Sequence, residues 1–223
     1  MATFIRTAAH AASEVLSQQD VTCKRSQLTE IIAALLGYQT YAALKVEDEK
    51  SDHGFRLSEA ENLILNLPLG TQRARNLQLP AEAVDACVAG INESIVGKKQ
   101  GVYVGISDFW IDVINRDLSN HLYKDARVQS LMEGESWDCH IVETLFERQH
   151  ESGSLWSSLS EWTIDAWGEL QAEDEDGFCL DMFGVIASLE YQKIGRAGVR
   201  LSRVRFTPIP AEGEFASSWA ASA

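Results

Sequence analysis

Asp138, Cys139 and His140, with His150 further along, form the one concentration of thiol and imidazole side chains in the sequence. A zinc site asks for three or four such ligands at short, regular spacing. Cys139, His140 and His150 offer an irregular set, so a metal-assisted enzyme is an alternative reading. Cys139 beside His140 also has the residue types of a nucleophile and its base, but neighbours on a strand or helix point apart. The acidic run from Ala172 to Gly177 is the other place to test for a metal. With Gly177 at the sixth position of a calcium loop, the first would be Ala172 and the twelfth Phe183, neither of which supplies the side-chain oxygen required. That run reads as a solvated hairpin loop. Glu161, Asp165, Glu169 and Asp181 could furnish paired carboxylates, as any acidic chain could. The sequence contains no G-x-S-x-G, phosphate-binding loop, dinucleotide fingerprint or H-E-x-x-H. No catalytic residue and no cofactor are assigned, and the reading leans away from an enzyme.

Charge gives a stronger signal. Lys193, Arg196, Arg200, Arg203 and Arg205 place five cations within thirteen residues of a chain whose formal net charge is −14. One reading pairs them across strands with the acids from Glu169 to Asp176, which stabilises little when exposed. The other makes them a binding face for an anion, a nucleic acid or an acidic partner. Trp156 and Trp167 nearby favour an interface, because tryptophan and arginine are enriched at binding hot spots. The preferred function is therefore a non-enzymatic binding module. Trp156, Trp167, Lys193, Arg196, Arg200, Arg203 and Arg205 form its candidate contact surface, and a protein or a second copy of the chain is its partner.

The elements that must hold these residues predict an α+β fold, with a helical unit over residues 1–100, helices and a small antiparallel sheet over 101–210, and a tail over 211–223. Phe4 to Leu16 reads as an alanine-rich helix, and Leu28, Ile31, Ile32, Leu35 and Leu36 share one face of a second. Ser26 is its candidate N-cap, Gly37 its left-handed stop, and Thr40 the cap of a third helix burying Tyr41 and Leu44. Val46 to Phe55, with His53, reads as a charged loop. Ser58 then starts a helix carrying Ala60, Leu63, Ile64 and Leu67, which Pro68 and Gly70 end. Pro80 opens a helix lined by Val84, Cys87, Val88 and Ile91, and Lys98-Lys99-Gln100-Gly101 marks the boundary. Val102 to Val104 is β-prone, Ser107-Asp108 caps a helix with Phe109, Trp110, Val113 and Ile114, and another helix covers Asp117 to Met132. Residues 138–146 suit helix or strand. Alternation from Trp162 to Leu170 and from Val185 to Tyr191 predicts two strands. Val199 to Phe206 predicts a third, with a parity shift that suggests a bulge.

The run Leu36-Gly37-Tyr38-x-Thr40-Tyr41-x-Ala43-Leu44 resembles the bacterial "glyoxalase-related" N-terminal domain, in which such a run closes a compact helical unit. The resemblance covers about the first 45 residues and brings no catalytic residue with it, because no His/Glu set here matches a true glyoxalase. The same hairpin suggests a helix-turn-helix. Under that alternative Lys24, Arg25, Gln39, Thr40 and Lys45 would meet nucleic acid, against the long-range repulsion of a net −14. Cys23, Cys87, Cys139 and Cys179 are widely spaced, and no apolar run reaches membrane-span length. The N-terminus lacks a basic-then-apolar signal pattern, and a cytoplasmic protein is expected.

Overall fold

The computed structural model describes residues 2–50, 59–95, 100–128, 140–151, 153–173 and 179–209. The fold is α+β, with helices α1 (Ala2–Gln18), α2 (Arg25–Leu35), α3 (Tyr41–Lys50), α4 (Leu67–Asn76), α5 (Glu82–Ile95), α6 (Ile106–Phe109) and α7 (Asn115–Leu122). The strands are β1 (Asn62–Ile64), β2 (Gly101–Tyr103), β3 (His140–Glu151), β4 (Glu161–Glu173), β5 (Cys179–Ile194) and β6 (Gly198–Ile209). They form one sheet in the order β2-β1-β6-β5-β4-β3. The sheet is mixed and larger than the small antiparallel one expected: β1 runs parallel to β2, while β1–β6 and β3–β4 are antiparallel. The turn from Gly195 to Ala197 is too short to join anything but antiparallel neighbours β5 and β6. No described helix is long and apolar enough to cross a membrane.

The chain divides into two compact units. One comprises Met1–Phe109, Gly153–Trp162 and Tyr191–Leu201, the other Trp110–Ser152, Thr163–Glu190 and Ser202–Ala223. The first unit takes in two segments of the C-terminal half because β1 is hydrogen-bonded to the start of β6, Asn62 opposite Val199 and Leu63 opposite Gly198.

In the first unit α2 is the hub. Leu28, Ile31, Ile32, Ala33, Ala34 and Leu35 are all buried, and α2 contacts α1, α3, α4 and α5. The alanines of α1 let α5 approach closely. A Cβ on Gly90 of α5 would collide with the Ala8 carbonyl and lie 3.0 Å from the Ala12 amide nitrogen. Gly37 takes φ +87° and ends α2 as expected. The Gly37 amide donates to Ala34 O and the Tyr38 amide to Ala33 O, each at 2.9 Å. Thr40 Oγ1 accepts from the Ala43 amide at 3.0 Å, and Glu30 Oε2 accepts from the Tyr41 amide at 3.2 Å. The acid of α2 thus sits at the positive end of α3.

Several expectations are corrected. Lys24, not Ser26, occupies the N-cap of α2, and its amide donates to Gln27 Oε1 at 3.0 Å. The start of the supposed charged loop is helix, since α3 continues to Lys50; its remainder, with His53, lies outside the described residues. Ser58 lies outside the described residues, and the expected helix is not found from Ala60 to Asn66, where β1 stands instead, with α4 beginning only at Leu67. Leu63, Ile64 and Leu65 are consecutively buried at 0% exposure, because β1 is enclosed on both faces and shows no alternation. Pro68 opens α4 and does not close a helix, with the Asn66 side chain accepting from the Leu69 amide at 3.0 Å. Gly70 lies within α4. Asp108 is inside α6, which Ile106 begins, and Trp110–Ile114 forms a π-helical turn. Of the helix expected over Asp117 to Met132, α7 accounts for the part to Leu122; a turn interrupts it, residues 126–128 are helical again, and residues 129–132 lie outside the described residues. The ambiguous segment near 140 resolves as strand β3.

In the second unit β3 and β4 pair with register shifts at Ile141/Glu143 and Arg148/His150. Trp110 Nε1 donates to Phe146 O at 3.3 Å, and α7 buries Leu118 and Leu122. The alternation read from sequence holds. Ile164 and Ala166 are buried along β4, and Val185, Ala187 and Leu189 along β5; Trp162 and Tyr191 continue the same buried parity but belong to the first unit.

Candidate functional site

The side chains with most chemical potential gather in the first unit, where the α2–α3 turn, α3 and the β5–β6 turn meet. Tyr38 follows the left-handed glycine, so its ring is aimed by the turn and is only 2% exposed. Its hydroxyl donates to Glu47 Oε1 at 2.9 Å. Glu47 stands on α3, and its other oxygen, Oε2, accepts from Arg196 Nε and Nη2, both at 3.0 Å. The Arg196 guanidinium lies over the Tyr38 ring, 5.0 Å from its centroid. One planar cation therefore has a carboxylate in its plane and an aromatic face below it, both favourable geometries. Burial, and secondarily the Glu47 charge, pushes the Tyr38 phenol above its ordinary range, which keeps it a hydrogen-bond donor.

Lys193 stands near the end of β5, just before the turn that carries Arg196. It is 4% exposed, the one buried charged residue among those described, and its Nζ donates to the Arg196 carbonyl at 2.6 Å. Burial pushes the amine down to about 7, against an opposing pull from Glu47. Trp156 is half-buried in the same region. Its Nε1 donates to Ile64 O at 2.9 Å, and its side chain packs where a Cβ on Gly37 would point.

Beside the Arg196–Glu47 pair an open depression of ≈ 480 Å³ is lined by Ala42, Ala43, Val46, Glu47 and Arg196. Ala42 and Ala43 are exposed, and Val46 is 49% exposed. Its floor is thus the outer, apolar side of α3, edged by a fixed ion pair.

Trp156, Lys193 and Arg196 of the expected contact surface belong to this region. Arg200, near the same turn, donates to Gln192 Oε1. Arg203 and Arg205 belong to the second unit and share Glu190 on β5, Arg203 at 3.9 Å. Trp167 is half-buried on β4 of that unit. The hairpin residues suggested for nucleic acid are partly engaged elsewhere. Thr40 caps α3 and Arg25 bonds His10 Nδ1 at 2.9 Å, whereas the side chains of Lys24, Gln39 and Lys45 are exposed. Of the thiol–imidazole set, Cys139 lies outside the described residues, His140 begins β3 and His150 is exposed near its end. Among the described residues no group of three or more His, Cys, Asp or Glu could hold a metal.

Sequence reasoning missed Glu47, hidden in a supposed loop, and the exposed apolar face of Ala42, Ala43 and Val46. A signal for Lys193 was present: it continues the inward parity of Val185, Ala187, Leu189 and Tyr191. No family model matches this chain, nor does any curated protein or solved structure.

Proposed function

We propose that this chain is a non-enzymatic, cytoplasmic binding module that recognises another protein through the depression on α3. The observation that carries this reading is the exposed floor of Ala42, Ala43 and Val46 set against the Arg196–Glu47 pair. Exposed apolar surface rimmed by polar groups is what protein contacts use. An arginine already oriented by a carboxylate and a ring loses little freedom on binding, so it suits a hot spot. Tyr38, Glu47, Arg196 and Lys193 spend their polar atoms largely on one another, an arrangement suited to holding a surface in shape.

The test is quantitative capture of partners from the native host by wild type and by Val46→Asp. The reading expects at least one stoichiometric partner whose recovery falls tenfold or more with Val46→Asp, while the melting temperature holds. Size-exclusion with light scattering on the same two proteins covers the case in which the partner is a second copy. An identical partner profile and identical mass for both would overturn the reading.

A further inference from the structure

We propose that Lys193 is a proton-operated latch on the Arg196–Glu47 pair, so that the edge of the α3 depression changes state when this amine gains a proton. The geometry points to it from three sides. The amine is enclosed, and its one acceptor among the described residues is the Arg196 carbonyl at 2.6 Å. An ammonium carries three donors and a neutral amine fewer, so the enclosed site suits the neutral form. The charged group that acts on it from α3 is Glu47, and Arg196 stands on its own turn; from the Ser160 side the neighbour is a backbone carbonyl, which accepts from the Lys193 amide at 2.9 Å.

Both Glu47 oxygens are already committed, Oε1 to Tyr38 and Oε2 to Arg196. A proton taken from solvent by Lys193 Nζ adds a second cation competing for that carboxylate and repels the guanidinium beside it. Glu47 then shares its charge with Lys193, and Arg196 loosens toward the depression it lines. Loss of the proton restores the pair. The depression would thus display a freer guanidinium in the acidic state and a neutralised ion pair in the basic one. With burial holding the amine near 7, the exchange falls within the physiological range.

The test needs no partner, so its failure and the failure of the binding reading are separable. In isotope-labelled protein, the Lys193 ¹³Cε and Arg196 Nε–Hε resonances are followed across a pH titration. Both should move with one midpoint near 7, and in Lys193→Met the Arg196 signal should stay at its high-pH position throughout. Should Lys193→Met fold poorly, Glu47→Gln serves instead: removing the attracting carboxylate should shift the Lys193 midpoint downward. A Lys193 signal that titrates only at the ordinary lysine range would overturn the latch. So would an Arg196 signal that titrates equally in Lys193→Met, or a midpoint indifferent to Glu47→Gln.

Discussion

Arg196 reaches Glu47 across 149 positions of sequence, and both Nε and Nη2 meet the same carboxylate oxygen at 3.0 Å. The pair fastens the β5–β6 turn to α3 within the first unit. Its partners are 31% and 30% exposed, so solvent screens it less than a surface pair but does not leave it dry. A double-mutant cycle of Arg196→Ala and Glu47→Ala, read by urea unfolding, should give a coupling of about 1 kcal/mol, at the upper end for ion pairs open to water.

Tyr38→Phe removes only the hydroxyl that donates to Glu47 Oε1. The ring stays beneath Arg196, so packing is retained and the loss is one hydrogen bond to a charged acceptor. Destabilisation of about 1.5–3 kcal/mol follows for such bonds, with partial exposure of Glu47 favouring the lower end. Calorimetry on the variant checks it, and a change under about 0.5 kcal/mol would show that Glu47 finds water as a substitute.

Gly37→Ala should cost more than an ordinary surface change. The φ of +87° strains any side chain, and the added Cβ would stand 3.0 Å from Trp156 Cδ1 and 3.1 Å from Arg196 Cβ. Left-handed strain alone is about 1–2 kcal/mol, and crowding against Trp156 adds to it. Thermal denaturation should show a lowered midpoint, and hydrogen exchange should rise first in Tyr38 and α3.

The helical hairpin was legible because its signals are local. Gly37 has one conformational reason to follow Leu36, and Thr40 one reason to precede Tyr41. The strands β4 and β5 were legible through alternation, since one face is buried and the other is not. β1 was not, because Leu63, Ile64 and Leu65 are all enclosed and a short apolar run fits a helix as well. Pro68 carries the same ambiguity, being tolerated at a helix start and equally common beyond a helix end. The site was harder still. Glu47 gains its role from Arg196, and no local rule links two residues so far apart in sequence. Lys193 could have been separated from the other cations by parity alone, but its charge drew it into the surface cluster.

Arg203→Glu probes the second unit. Arg203 is 64% exposed and meets Glu190 at 3.9 Å, while Arg205 shares that carboxylate. An exposed pair of this length contributes at most about 1 kcal/mol, so the melting temperature should move by only a few degrees. If this cationic strip also serves as a contact surface, light scattering should show a smaller assembly for the variant than for wild type. A monomer in both cases removes the strip from consideration as a self-association surface.

The pH dependence of stability follows from Lys193. Burial lowers the amine from 10.5 in the unfolded chain to about 7 in the fold. Between those values the unfolded state binds the proton and the native state does not, so stability rises with pH through that window. Below about 7 both states carry the proton and the contribution is flat, at its most unfavourable. Tyr38 works the other way at the alkaline end. Its phenol is raised by burial, so stability present below its ordinary value of 10.0 is lost as pH climbs past it. Unfolding measured from pH 6 to 10 should therefore give wild type a rising limb that Lys193→Met lacks, the difference between the two closing toward pH 10. Parallel curves for the two proteins would mean that the Lys193 amine is no harder to charge in the fold than in water.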